Sequence, residues 1–312
     1  MTQFSFFTAM HHETGQRSLE DVVGIMGRQL IALGHQAVLD PRNEKVETAV
    51  FVRPGDGINV LVEGFTRPWV EVIARARALG CRFIILATEE PTPKGFNWGT
   101  QKEMVARQDI FPEAAKHCEG ILHLVPGEHV TRWYSQFAPA AQADLGFAPS
   151  LLRANGPAPD FEFGFYGSCT PRRMKILKKL ARMTNAEKAV KIVHDFRSQA
   201  DRDTQMRRAK VILQIRKFDE MGLVSSSRCN TSLMIGRPVV AEPHDLVKPW
   251  DEVIDFPKTM EDFYAKALLT RSMWRGVWNK QLEQFKFKMN PEFCVGEPLR
   301  RIGVLEPKKA AA

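Results

Sequence analysis

No run of about 18 apolar residues occurs anywhere in this 312-residue chain, so a membrane-spanning helix is not expected. The opening MTQFSFFTAMHHETG has no basic segment ahead of a long apolar stretch, so it does not read as a secretory signal. Cysteine is sparse. The five (Cys81, Cys118, Cys169, Cys229 and Cys294) are scattered without a C-x-x-C pair, which argues against a zinc site and fits a reducing cytoplasm. No G-x-x-x-x-G-K-[ST] is present, excluding a Walker loop, and no G-x-G-x-x-G, which speaks against a nicotinamide dehydrogenase.

What is present is an ordinary globular composition, 44% hydrophobic and 26% charged, in a length sufficient for two domains. The formal charge is 44 − 36 = +8, unevenly placed. Residues 167–217 hold fifteen Lys/Arg against four Asp/Glu, an excess of eleven, which leaves the remainder at −3. Most such lysines are simply solvated helix faces. A functional reading would give them a nucleotide phosphate, an anionic membrane surface touched peripherally, or nucleic acid. Nucleic acid is the weaker alternative, because the basic residues are not interleaved with base-stacking aromatics.

Strand and helix patterns alternate along the amino-terminal half. Strands are predicted at 4–9, 48–53, 58–63, 82–87 and 120–125, and helices at 68–79, 99–117 and 128–137. Ser18-Leu-Glu-Asp21 has the form of a capping box opening a helix that Gly34 closes. Residues 136–160 read as a linker, after which the alternation resumes with strands at 161–166, 189–195, 210–216 and 238–241 and helices at 171–183, 202–209 and 228–235. One long helix at 259–289 and a loosely held tail from Pro291 complete the chain. The expected architecture is α/β, two Rossmann-like doubly wound domains facing across a cleft, with a carboxyl-terminal helix. The domains are drawn at 1–155, 156–258 and, for the helix and tail packing back on the first domain, 259–312.

The most informative stretches are FEFGFYGSCTPRR, 161–173, and KVILQIRKFDEMGLVSSSRCNTSLMIGRPVVAE, 210–242. Each carries an apolar strand into a loop rich in glycine, hydroxyls and arginine and then into a helix. Open parallel sheets take their ligands at such strand ends, and a helix N-terminus offers unpaired N–H groups to an anion. The ligand is read as a phosphate ester, with a sugar nucleotide the best candidate. Gly167, Ser168, Thr170, Arg172, Arg216, Ser226, Ser227, Arg228 and Asn230 are its candidate binding residues, with Arg173 and Lys217 beside them.

These segments resemble the donor domain of bacterial GT-B glycosyltransferases of the family-one-like kind. The resemblance lies in Arg207-Arg208 running into Ala209, Val211, Leu213 and Ile215, in Ser227-Arg228-Cys229-Asn230 through Gly236-Arg237-Pro238-Val239-Val240-Ala241-Glu242, and in the FYGS-x-T-P-R-R start. It covers the second half of the chain. It implies sugar transfer from a nucleotide diphosphate held by the carboxyl-terminal domain to a hydroxyl acceptor held by the amino-terminal one. It also implies no cofactor or catalytic metal. Many retaining relatives carry two glutamates eight positions apart before the G-x-P-V segment; here the second falls near Thr231, and Glu220 is too far upstream, so the stereochemical outcome is left open. Three polar strand ends on the first domain are candidate acceptor bases: His12-Glu13, Glu89 and Glu63.

Overall fold

The structure, a computed structural model, describes residues 1–8, 13–40, 43, 45, 48–63, 65–96, 101–153, 156–186, 188–194, 196–219 and 222–307. The chain divides into two compact units. Met1–Leu145 with Pro291–Ala312 forms the first, and Gly146–Asn290 the second.

The first unit carries β1 (Gln3–Phe7), α1 (Glu13–Ala32), β2 (Gln36–Leu39), β3 (Gly57–Val62), α2 (Arg67–Ala78) and β4 (Phe83–Ala87). A small antiparallel pair follows, β5 (Pro91–Thr92) with β6 (Gly95–Phe96), then α3 (Gln101–Ala115), β7 (Gly120–His123), α4 (Glu128–Tyr134) and β8 (Ala140–Gln142). The main sheet is parallel throughout, in the order β2-β1-β3-β4-β7-β8. Its central strands GINVLV and FIILA are buried at every position, as a sheet covered on both faces requires. A core of Phe4, Phe6, Met26, Leu30, Ile84 and Leu122 fills one face.

The second unit carries β9 (Phe161–Tyr166), α5 (Pro171–Thr184), β10 (Val190–Val193), α6 (Gln199–Met206), β11 (Ala209–Gln214), α7 (Ser226–Met234), β12 (Val239–Ala241), α8 (Met260–Ser272) and α9 (Trp274–Lys288). Its sheet is again fully parallel, β10-β9-β11-β12. The two sheets therefore begin alike. Second strand, first strand, third and fourth lie side by side in both, so each reverses direction beside its first strand, between β1 and β3 and between β9 and β11. Such a reversal separates the loops on either side and opens a ligand crevice at the carboxyl edge.

Several expectations are corrected. Residues 49–53 form no strand. Asn59, buried in β3, holds them instead, its Oδ1 accepting from Val52 N at 2.8 Å and its Nδ2 donating to Arg82 O at 2.9 Å. The edge of the sheet is formed by β2, a strand the apolar pattern does not signal because its residues are mostly exposed. Helix α1 begins at Glu13, so Ser18 lies inside the helix and not at its start. The long carboxyl-terminal helix breaks into α8 and α9, which pack on β11, β12 and α7 within the second unit. Trp250 stacks on Phe285 with ring centroids 5.3 Å apart, and Trp278 Nε1 donates to Leu233 O. Gln281 reaches β12 from α9, accepting from Val239 N and donating to Val239 O, both at 2.9 Å. The tail is anchored. Its closing helix, α10 (Glu297–Arg301), and the turn before it bury Cys294, Val295 and Leu299 in the first unit, and Cys294 O accepts from Asp144 N. Ile302 lies so close to Gly120 that a Cβ there would come within 2.8 Å of it. Among the described residues no helix is long and apolar enough to cross a membrane.

Candidate functional site

The carboxyl edge of the second sheet, at the reversal between β9 and β11, gathers three arginines, two of them beside Gly167. Each arrives from a different local cause. Thr170 caps α5, its side chain accepting from Arg173 N, and Pro171 starts the helix, which places Arg172 and Arg173 in its opening turn. Arg228 comes from the first turn of α7, whose start is fixed by Trp250 Nε1 donating to Ser226 Oγ at 3.0 Å.

The three guanidinium groups have different partners. Arg172 grips Glu242 with both terminal nitrogens, NH1 to Oε1 at 3.0 Å and NH2 to Oε2 at 2.7 Å, and also pairs with Asp219. Glu242 is completely buried at the end of β12 and accepts further from Arg216 N. Arg173, itself buried, stitches the reversal together by donating to Ser168 O, Ser168 Oγ, Ile215 O and Arg216 O. Burial and then neighbouring Arg228 push its pKa down to about 10. Arg228 donates to the neutral Gln214 Oε1 at 2.5 Å and lies over the rings of Phe165 and Tyr166, 5.5 and 5.3 Å from their centroids.

Gly167 has φ +126°, a region that disfavours side chains, and a Cβ there would stand 3.1 Å from Arg228 NH2 and 3.6 Å from Arg173 NH1. The glycine thus keeps backbone and guanidinium close. Gly167→Ala is expected to lose about 1–2 kcal/mol of stability and to weaken anion binding by displacing Arg228. Thermal unfolding with and without a nucleoside diphosphate checks both; equal behaviour to wild type would remove the glycine from the site.

Of the sequence candidates, Gly167, Ser168, Thr170, Arg172, Arg216, Ser226 and Arg228 are brought to this edge, and Ser227 occupies the first turn of α7. Asn230 is not: fully buried, it donates to Gly146 O at 2.6 Å and holds the incoming chain. His244 was missed. It follows Glu242 by two residues, and its Nδ1 donates to Glu242 O at 2.7 Å, which leaves Nε2 a buried acceptor with no partner among the described residues. Burial, opposed by Glu242 but helped by Arg216 and Arg228, holds its pKa below the ordinary histidine value. Only its place after a strand end signals it in sequence.

The tripeptide Asp201-Arg202-Asp203 has the D-x-D form associated with metal-dependent transferases, but it lies in α6, where residues two apart point away from each other. Asp203 pairs with Arg202, and Asp201 accepts from Arg197 N and Gln205. Among the described residues no three His, Cys, Asp or Glu side chains are grouped to hold a metal.

On the first unit, His12 lies outside the described residues, and Glu13 opens α1 just beyond β1. Glu89, after β4, is buried and ion-paired with Arg107 of α3. Glu63, directly after β3, is buried as well.

No protein-family model matches the chain, and no curated protein matches it in sequence. Solved structures do match in fold. The DNA-modifying enzyme β-glucosyltransferase superposes with a TM-score of 0.53 at 7% identity, over 97% of this chain and 100% of that one. AviGT4, a glycosyltransferase involved in avilamycin A biosynthesis, gives 0.55 at 12% identity, over 98% and 99%. A glycosylation-associated protein complex from Streptococcus agalactiae gives 0.51 at 11% identity, over 80% of this chain and 54% of that one. At these identities the likeness carries the architecture, and that architecture is the two-domain α/β fold of the GT-B glycosyltransferases.

Proposed function

We propose that this chain is a glycosyltransferase that binds the diphosphate of a nucleotide sugar at the carboxyl edge of its second sheet and passes the sugar to a hydroxyl acceptor without a metal. The observation that carries the reading is the convergence of Arg173, Arg228 and Gly167 where β9 and β11 diverge, beside the start of α5. A departing diphosphate accumulates negative charge, and preorganised guanidinium and N–H donors stabilise it. Arg172 serves this arrangement through Glu242, which fixes the ends of β11 and β12, and Arg228 takes the phosphate.

The basic region read as a nucleic-acid surface finds less support, because several of its cations are matched locally: Arg172 with Glu242, Arg202 with Asp203, Arg208 with Asp160 and Lys210 with Glu162. On the acceptor side, the pairing of Glu89 with Arg107 favours His12 or Glu13 as the proton acceptor. The test is mass spectrometry of sugar-nucleotide turnover over a donor panel, with nucleotide-induced thermal stabilisation alongside. Stabilisation by duplex DNA but by no nucleotide would reject the reading. A Glu13→Gln enzyme that transfers at the wild-type rate would reject that base.

His244 is proposed to accept a hydrogen bond from a hydroxyl or N–H of the nucleotide. A neutral–neutral bond of this kind contributes about 0.5–1.5 kcal/mol, so His244→Ala is expected to weaken nucleotide binding roughly 2- to 12-fold. Wild-type affinity should also fall as the pH drops below neutrality, because protonation removes the Nε2 acceptor. An affinity that instead rises on acidification would show the ring meeting phosphate as a cation.

A further inference from the structure

Glu63 directly follows β3 at the reversal of the first sheet, only 1% exposed. Its Oε2 accepts from the backbone N–H groups of Thr88 and Glu89, the latter at 2.9 Å. The hydroxyl of Tyr134, fully buried in α4, lies 2.8 Å from Glu89 O and 3.3 Å from Glu63 Oε1. A phenol has one proton, and a carbonyl oxygen only accepts. The shorter contact therefore takes the Tyr134 proton, and the phenolic oxygen faces Glu63 Oε1 with lone pairs alone. An ionised Oε1 would set lone pairs against lone pairs in a buried place. A protonated Oε1 completes the set, with every polar atom of the group matched.

We infer that Glu63 is held as a neutral carboxylic acid, its proton on Oε1 and donated to Tyr134, and that this proton positions the loop after β4 that carries Glu89. Of the groups around it, the charge of Arg107 and the two backbone N–H donors favour the carboxylate, and burial and Glu89 favour the acid. Glu89, from the same loop, is a like charge already ion-paired with Arg107 of α3. His123 of β7 stacks on Tyr134, ring centroids 5.7 Å apart, and burial pushes its pKa down to about 4, so it is uncharged near neutrality. Burial first, and then the charge of Glu89, outweigh the Thr88 and Glu89 N–H groups and Arg107 and push the Glu63 carboxyl up to about 8. The proton assignment rests on geometry within the first unit; only its bearing on acceptor chemistry depends on the proposed glycosyl transfer.

Glu63→Gln tests it, because a glutamine amide places N–H where the acid has O–H and keeps a carbonyl for the two backbone donors. The native state keeps a proton that an unfolded glutamate releases above pH of about 4.3. Wild-type stability from this site therefore falls as the pH rises from there, up to about tenfold in the unfolding constant per pH unit, and levels off above the native pKa. Glu63→Gln should remove that component of the slope and match or exceed wild-type stability at pH 8, with Asp144, whose burial also raises its pKa to about 7, left as common background. A variant destabilised more than about tenfold at every pH, with an unchanged slope, would show that Glu63 is ionised. Should the variant fail to fold, isotope-edited infrared spectroscopy of wild-type chain labelled at glutamate decides: a protonated-carboxyl band persisting at pH 7 supports the inference, and its absence overturns it. Neither readout requires transferase activity, so loss of the functional reading would leave this one standing.

Discussion

Arg172→Ala is expected to cost about 3–5 kcal/mol of folding stability, the amount typical when one partner of a buried ion pair is removed. Glu242 is completely buried, and Arg172 meets both of its oxygens. Without the guanidinium, the carboxylate keeps the Arg216 N–H and little else, since Arg216 Nε stands 3.8 Å away. Arg172→Lys should recover only part of the loss, because an ammonium cannot match the two-pronged geometry. Replacing both residues with apolar ones of similar volume, Arg172→Met with Glu242→Leu, should restore much of it, since neither desolvated charge then remains. Urea unfolding of the four proteins measures all of this. If Arg172→Ala lies within about 1 kcal/mol of wild type, the pair does not organise the strand ends.

Arg228→Ala is expected to weaken nucleoside diphosphate binding by about 1.5–3 kcal/mol, roughly 10- to 150-fold, with the fold intact. The side chain's contacts with Gln214, Phe165 and Tyr166 are with neutral groups, so none of these three is left as an unpaired charge when the guanidinium is removed. Arg228→Lys should bind between the two, retaining charge but losing the planar fork and the ring contact. Titration calorimetry gives the affinities. Unchanged binding in Arg228→Ala, in a protein with the wild-type unfolding midpoint, would move the diphosphate elsewhere.

The parallel architecture was legible because buried strands such as GINVLV and FEFGFY are apolar at nearly every position and are bounded by turn residues. β2 was not, since an edge strand with exposed side chains carries no pattern to read. The strand drawn at 48–53 failed for the opposite reason: the segment is apolar enough, but the side chain of Asn59 satisfies the backbone at Val52 that a neighbouring strand would otherwise bond. At the site, residue types were informative and partnerships were not. Arg172 and Arg228 look equivalent in sequence, yet one answers a carboxylate seventy residues away and the other an amide fourteen away. Asn230 looked like a hydroxyl ligand, but helical spacing turns it from the strand ends toward Gly146. Such pairings depend on which loops the topology brings together, which no local pattern encodes.

The glutamine at 281 explains why the second sheet has four strands and stops. A primary amide has the same donor and acceptor as a peptide unit, so one side chain from α9 answers both the N–H and the C=O of Val239 as a fifth strand would. The last rung of the ladder is capped by a group that cannot be extended. A passing β-segment, from this chain or another, meets a helix there instead of an open template, which is one way folded proteins keep sheet edges from recruiting their neighbours.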